Sequence, residues 1–367
     1  MNQALKDIVV GAKSADVVVS DRTRWRHVLV TSQDGLTGVG EATLPASVEG
    51  FDEALSSALA VIEGRPLDAA FLDPLSSFAR EGLAAATVYS AIDQAATDIR
   101  AQHAGVPVAE FLASDPAPSV PLYANINRAS IDRRPETFAT NALKAEQLGY
   151  GAIKLAPFDN LTPAACGSEA GDQLIAAGVA RVASVAEAVL GAEVMVDCHW
   201  RFSPAAAART IPQLAELGVV WFECPLPETT ETIDQLKALR ELAQRYDMRL
   251  AGMEHFAGWE QFAPFVEAGA YDVVMPDIKH AGGYGAILKI AEKATAHGVS
   301  VSLHNPSGPV CHLASVHMAA AIGAQERLEQ QVFESPRFFQ ITDPAPNTEN
   351  GQAIPGRGPG LGTRLTT

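Results

Sequence analysis

Six short apolar runs between about residues 150 and 310 each end in ionisable residues that strand packing does not require. They are Lys154 in AIKLAP, Asp197 and His199 in VMVDCHWRF, Glu223 in WFECP, Glu254 in AGMEHF, Asp277 in VVMPDIK and His304 in VSLHNPSGP. Three of these groups, Asp197, Glu223 and Glu254, are carboxylates on consecutive runs, and like charges gathered at one place repel unless a cation lies between them. Oxygen donors without a thiolate suit Mg2+, with Mn2+ as the second choice on ligand type. Asp277 and His304 form a second pair. A carboxylate beside an imidazole orients it and raises its basicity, as a general base for a weak carbon acid requires. His199 and Lys154 lie on the other side of the carboxylate trio, where a second proton-transfer group would work. His255 and His280 fall beside Glu254 and beyond Asp277 and read as rim or supporting residues, His255 pointing to the opposite face.

These groups converge only if the runs are parallel strands of one sheet. The predicted strands are Leu122–Ile126, Ala152–Ala156, Val194–His199, Val219–Cys224, Leu250–Glu254, Asp272–Asp277 and Val299–His304, with a short last one near Glu329. Helical periodicity fills the gaps: Pro135–Leu148, Gly171–Leu190, Ala205–Leu217, Thr230–Gln244, Gly258–Ala268, Gly285–Gly298 and Cys311–Ala324. Strand and helix alternating about eight times predict a closed barrel, whose C-terminal mouth carries the chemistry. The period of two puts Asp197 and His199 on one face and turns Cys198 away, and it likewise separates Glu223 from Cys224. Ahead of the barrel, Val17–Val19, His27–Thr31, the turn at Asp34-Gly35 and Thr37–Glu41 predict a small antiparallel sheet. Helices follow near Phe51–Ile62 and Gly82–Gln102, and Pro116, Pro118 and Pro121 mark a boundary. The Gly- and Pro-rich tail from Asn350 to Gly362 covers the surface or packs back on the first domain.

Composition removes other classes. The chain has 367 residues with 43 acidic and 27 basic, a formal charge of −16, which argues against a nucleic-acid partner. The densest basic cluster, Arg22, Arg24, Arg26 and His27, is placed in a loop facing solvent. No apolar run reaches the length of a membrane span. Gly282-Gly283-Tyr284-Gly285 lacks the dinucleotide-binding pattern. Cys166, Cys198, Cys224 and Cys311 show no paired spacing and the N-terminus no signal-peptide order, so a reducing, cytoplasmic location is expected.

The constellation resembles the enolase superfamily in its mandelate-racemase-like branch. The resemblance rests on Gly38-Val-Gly-Glu41, on Asp197, Glu223 and Glu254 as metal ligands, on Asp277 with His304, on Gly282-Gly283 and on the closing Gly358-Pro-Gly-Leu-Gly362, and it covers nearly the whole chain. It implies an α/β fold: a modified TIM barrel, (β/α)7β, with an α+β capping domain. The expected divisions are residues 1–118 as the cap, 119–335 as the catalytic barrel and 336–367 as a segment returning to the cap. Enzymes of this superfamily use a Lys or His base with Mg2+ stabilising an ene-diolate.

Two positions choose the subgroup. Racemases of this kind carry Lys-x-Lys on the second barrel strand, whereas this strand reads Lys154-Leu155-Ala156, with alanine at the base position. In its place stands Asp197-x-His199-x-Arg201, similar to the Asp-x-His of galactonate and mannonate dehydratases. His304-Asn305-Pro306-Ser307-Gly308-Pro309 is similar to the His-x-Pro-x-Gly-Pro of the galactonate group. The resemblance then implies that His304, with Asp277, takes the C2 proton, that His199 helps the C3 hydroxide leave, and that Glu329 contacts substrate. Met253 stands where the family usually has a glycine. The leading expectation is a Mg2+-dependent dehydratase of an aldonic or aldaric acid giving a 2-keto-3-deoxy acid. Behind it stand a racemase or epimerase of an α-hydroxy acid, a cycloisomerase of a sugar lactone or anhydro sugar acid, and a binding or structural protein on a degenerate barrel. A small acid sugar is the expected partner, and the resemblance implies a homo-oligomer, dimer or octamer.

Overall fold

The computed structural model describes residues 7–20, 23–45 and 47–366. Alternating apolar residues build a three-stranded antiparallel sheet from β1 (Val9–Val18), β2 (Arg24–Ser32) and β3 (Thr37–Glu41). Helices α1 (Phe51–Ile62), α2 (Leu83–Ala104) and α3 (Val108–Leu112) follow. The basic cluster expected in a loop lies instead on β2. Arg24 and Arg26 pair with Asp16 across the β1–β2 ladder, and His27 is fully buried. Arg22 lies outside the described residues.

The Gly38-Val-Gly-Glu motif is explained by close approach. A Cβ at Gly38 would sit 2.0 Å from the Ala95 carbonyl oxygen and one at Gly40 2.0 Å from that of Ala91, so β3 rests directly on the backbone of α2. Gly40→Ala is expected to cost about 1–3 kcal/mol through overpacking. Gly11→Ala, with open space around it, should stay within about 0.5 kcal/mol. Chemical denaturation of both variants checks the contrast.

Helix α2 is the hinge between the two halves of the fold. Its buried and half-buried polar residues reach outward: Thr87 Oγ1 to His280 Nδ1 at 2.8 Å, Ser90 Oγ accepting from Gly282 N, half-buried Asp93 from Tyr284 N, and Asp98 from Val39 N and Leu361 N. Such groups are buried only when partnered, and here the partners belong to the barrel, the tail and β3.

The barrel repeats strand and helix: β4 (Val120–Asn125), α4 (Pro135–Gln147), β5 (Ala152–Leu155), α5 (Glu169–Ala188), β6 (Glu193–Asp197), α6 (Pro204–Glu216), β7 (Val219–Glu223), α7 (Ile233–Gln244), β8 (Arg249–Gly252), α8 (Gly258–Glu267), β9 (Val273–Val274), α9 (Gly283–Ala296), β10 (Ser300–Val301), α10 (Pro309–Ala321) and β11 (Leu328–Gln331). Strands β4 to β10 pair in parallel in sequence order, and β11 pairs with β4. Among the described residues no ladder joins β10 to β11; Ser302 Oγ bridges the gap by donating to the Arg327 carbonyl. Alternation gives each strand two apolar faces. Tyr123, Ala152, Met195, Trp221, Ala251 and Val273 form a cluster of their own, while Leu122, Ile153, Val194, Phe222, Leu250 and Val274 belong to the larger core that includes the helices.

The strands are shorter than expected, most of all β9 and β10, whose predicted ends continue as irregular backbone that pairs again only at the isolated Asp277–His304 bridge. The tail returns in two ways. Strands β12 (Thr342–Asp343), β13 (Asn347–Glu349), β14 (Gln352–Ile354) and β15 (Arg364–Leu365) form two pairs, β14 extending onto β4, while Leu361 is bound by Asp98 of α2. No helix among the described residues is long and apolar enough to cross a membrane.

Candidate active site at the barrel mouth

Asp197 and Glu223 close β6 and β7 in register with each other, and Glu254 follows the end of β8. All three are buried, at 4%, 0% and 3% exposure, which makes their common charge the dominant electrostatic fact of the site. Each meets a cationic or ionisable nitrogen: His199 Nε2 at 2.7 Å from Asp197, Lys154 Nζ at 2.6 Å from Glu223, and His304 Nε2 at 2.7 Å from Glu254 Oε2. The last contact lacks hydrogen-bond alignment, leaving Glu254 Oε2 buried without a hydrogen-bond partner. Burial first, then Asp197, Glu254 and Glu329, push the Glu223 carboxyl up to about 8 against the pull of Lys154.

Lys154 is 1% exposed and bridges Glu223 and Glu329. Burial disfavours its charge, yet those two carboxylates hold its pKa well above the ordinary range, which favours the charged ammonium. Glu329 is fully engaged: Oε1 accepts from Asn125 Nδ2 and lies 3.0 Å from Lys154, and Oε2 accepts from the Asn305 amide. Its oxygen also lies 3.9 Å from His304 Nε2.

The pair expected of Asp277 and His304 is formed. The two residues make an isolated parallel bridge, and His304 Nδ1 lies 2.8 Å from Asp277 Oδ2. Burial works against the imidazolium, but Glu254, Asp277 and Glu329 hold His304 up at about 10. Asp277 is kept well below the usual carboxylate range, although burial alone would raise it, by Lys279 and His304. Lys279 is 3% exposed and pairs with the same Asp277 oxygen as His304; sequence reasoning missed it, since a lysine two residues past a strand end reads as solvated. Trp221 was also missed. Its Nε1 donates to Glu223 Oε2 at 2.7 Å, and the pleat that puts residues two apart on one face was the available signal.

Three expectations about orientation change. Strand β6 ends at Asp197, and His199 and Trp200 adopt φ of 47° and 57°, so a left-handed turn, not strand alternation, brings His199 back over Asp197. His255 is exposed but not turned away from the site: its ring lies 6.4 Å from that of His304. His280 is buried against Thr87 of the cap and not on a rim. Cys198, Cys224 and Cys311 are buried free thiols. Met253 keeps the glycine-like conformation with φ of 76°.

The cap contributes directly. Glu41, at the end of β3 and fully buried, accepts from the Gly308 and Cys311 amides at 2.8 and 2.9 Å, holding the N-terminus of α10 and the loop that follows His304.

The donor set fits a hard divalent cation: three buried carboxylates, one of them with an oxygen that has no hydrogen-bond partner. Their oxygens are not drawn together because each has turned to a nitrogen of the protein. Among the described residues the only group whose ligand atoms already lie within 4.8 Å, and which could hold a metal ion as it stands, is Asp7, Asp34 and His103 in the cap. There His103 sits 2.7 Å from Asp7, and Asp34 is largely exposed. Sequence reasoning did not single out these three, which lie far apart along the chain. The three barrel carboxylates, unlike the cap group, lie beside the Asp277–His304 pair.

Comparison with known proteins agrees with this architecture. Residues 11–113 match the family described as the mandelate racemase / muconate lactonizing enzyme N-terminal domain, and residues 137–367 match the enolase C-terminal domain-like family. D-gluconate dehydratase of Thermoproteus tenax is 29% identical over 93% of this chain and 69% of its own length. D-xylonate dehydratase of Haloferax volcanii is 26% identical over 93% of this chain and 83% of its own length. The crystal structure of a mandelate racemase/muconate lactonizing enzyme from Sulfitobacter sp. superposes with a TM-score of 0.87, covering 98% of this chain and 93% of that one at 22% identity. With both halves of the chain matched in order, and the barrel match alone spanning more than half of it, the protein belongs to the enolase superfamily, in its mandelate-racemase-like branch, and is related to sugar-acid dehydratases.

Proposed function

We propose that this chain is a metal-dependent carbon–oxygen lyase that dehydrates a sugar acid, aldonic or aldaric, to a 2-keto-3-deoxy acid. The observation that carries this reading is the asymmetry of the carboxylate row: the His304–Asp277 dyad stands at its Glu254 end and a single separate imidazole, His199, at its Asp197 end. Elimination needs one base and one acid, and the row provides one of each.

Asp197, Glu223 and Glu254 would hold Mg2+, or Mn2+. When bound, the ion supplies positive charge against the substrate carboxylate as electrons move onto it. In its neutral form His304 takes the hydrogen α to that carboxylate at Nε2, Asp277 fixing the ring through Nδ1 and favouring the imidazolium that results. His199 gives a proton to the β hydroxyl as its carbon–oxygen bond breaks, so that water leaves and the enol becomes the keto acid. Lys154, held cationic by Glu223 and Glu329, adds fixed positive charge. Ala156 leaves the second strand without a lysine base for a racemase, which supports dehydration over inversion.

The same reading keeps residues 1–118 as cap, 119–335 as catalytic barrel and 336–367 as the returning segment. It also keeps a small acid sugar as partner, no nucleic acid, a homo-oligomer of dimer or octamer type, and a cytoplasmic setting consistent with the buried free thiols.

The test is a panel of aldonic and aldaric acids offered to the purified protein with Mg2+, with keto-acid detection. At least one acid should yield a keto acid, the activity should disappear on exhaustive chelation, and Mg2+ should restore it. Inversion at C2 without keto acid would move the assignment to an epimerase, and full activity after chelation would end the metal-dependent reading.

A further inference from the structure

Four residues at the barrel mouth, His199, Trp200, Cys224 and Met253, adopt φ of 47°, 57°, 44° and 76°. None is glycine. Left-handed backbone costs an L-residue of this kind about 1 kcal/mol or more and persists only where surroundings over-determine it. The structure supplies that constraint through one carboxylate. Glu228, in the loop after β7, accepts from the Met253 amide at 2.6 Å and the Tyr271 hydroxyl at 2.7 Å through Oε1, and from Trp200 Nε1 at 2.9 Å through Oε2. Its approach depends on Gly252, where a Cβ would stand 2.5 Å from Glu228 Oε1. A separate bond, Trp200 N to Cys224 O at 2.6 Å, ties the first turn to the end of β7. Trp200 in turn packs against the His255 ring at a centroid distance of 5.0 Å.

We propose that Glu228 is a positioning residue that clamps the turn carrying His199 to the turn carrying Glu254, and so sets the spacing between the leaving-group acid and the third carboxylate of the row. Trp200 follows His199 directly and Met253 precedes Glu254 directly, so one side chain fixes both turns. Glu228 touches neither reacting atoms nor the row itself; it acts through the backbone on either side. The catalytic part of this inference rests on the assignment of His199 as the acid, whereas the mechanical part does not.

Two measurements on the full chain separate these parts. Amide hydrogen exchange followed by mass spectrometry should show faster exchange in Glu228→Ala at both residues 199–202 and residues 252–255, by about tenfold, with the β1–β3 sheet unchanged. Trp200→Phe, which removes the donor to Glu228 but keeps an aromatic ring facing His255, should speed exchange at 252–255 through Glu228. On a sugar acid that the parent dehydrates, Glu228→Ala and Trp200→Phe should lower the ratio of dehydration to C2 hydrogen exchange about 10- to 100-fold, with little change in KM. Glu228→Gln should behave like Trp200→Phe, since its amide can still accept from Met253 and Tyr271 but not from Trp200. Tyr271→Phe should keep the parent ratio, because both turn contacts survive.

A ratio that stays constant while both reactions fall together, or that does not move in any variant, would overturn the catalytic part. Exchange that rises at only one of the two turns, or throughout the molecule, would overturn the clamp. Should Glu228→Ala fail to fold, the Gln and Trp200→Phe variants give the same two readouts. If no sugar acid is dehydrated, the exchange coupling alone decides the clamp, and that failure belongs to the functional assignment.

Discussion

Glu223→Gln is expected to weaken Mg2+ binding at least about 100-fold, while the ion-free protein melts within about 1–2 kcal/mol of the parent. The two halves of this result have one cause. Glu223 is the central carboxylate, in register with Asp197 and fully buried, and burial together with Asp197, Glu254 and Glu329 makes its ionisation unfavourable. Without a cation the charge is therefore a burden on the fold, and glutamine removes it. One hydrogen bond is lost in exchange, because Lys154 and Trp221 donate to different oxygens of Glu223 and glutamine keeps only one, but Lys154 keeps Glu329 at 3.0 Å.

A pH dependence follows with a definite sign. A carboxyl raised from its reference value of 4.5 to about 8 binds more protons folded than unfolded in that interval. Its contribution to ion-free stability therefore falls as pH rises through it, and the Gln variant lacks this component. Calorimetric Mg2+ titration and denaturation in chelator across pH measure both. Unchanged Mg2+ affinity in Glu223→Gln would remove the barrel trio as the metal centre. Loss of binding in Asp34→Asn instead would transfer it to the cap group of Asp7, Asp34 and His103.

The second large effect is a division between the two histidines. His304→Asn should abolish keto-acid formation and, with it, exchange of the C2 hydrogen with solvent deuterium, a loss of about 10⁴-fold or more in kcat. His199→Asn should block dehydration by about 10²-fold or more yet leave C2 exchange measurable, because the abstracted proton can exchange before it returns. Asp277→Asn should resemble the His304 change in milder form: the imidazole remains but loses the oxygen 2.8 Å from Nδ1. Proton NMR of substrate in D2O, with keto-acid detection on the same samples, resolves all three. Equal loss of exchange in both histidine variants, with metal and substrate still bound, would count against the assignment. Retained exchange in His304→Asn with its loss in His199→Asn would reverse the roles.

The alternation of apolar runs with helical stretches was sufficient to find the strand order of the barrel and the ionisable residue at six of its strand ends. What it could not supply is what happens after a strand stops. His199 reaches Asp197 through a left-handed turn that continues through Trp200, a bulky residue with no preference for that region, and Met253 holds a glycine conformation without being glycine. Lys279 was illegible for a related reason: nothing local distinguishes a buried lysine paired with Asp277 from a solvated one. The polar stripe of α2, with Thr87, Ser90, Gln94 and Asp98, had the spacing of a solvated face, yet it is buried and bonded to the barrel and the tail. Periodicity reports that a face exists, and only tertiary packing decides what it meets.

Glu41 makes the cap an unsuitable module for exchange between relatives. Its buried carboxylate is satisfied by amides of Gly308 and Cys311 in the barrel, and Gly308 has no room for a side chain, since a Cβ would fall 2.7 Å from the Glu41 oxygen. A transplanted cap lacking this acid would leave two amides at the start of α10 unanswered, and a barrel lacking the glycine would push the acid away. Either mismatch falls on the segment that leads from His304 into α10. Substrate preference, if it resides in the cap, can therefore diverge freely only in residues that leave this junction intact, and chimeras must inherit acid and glycine as a pair.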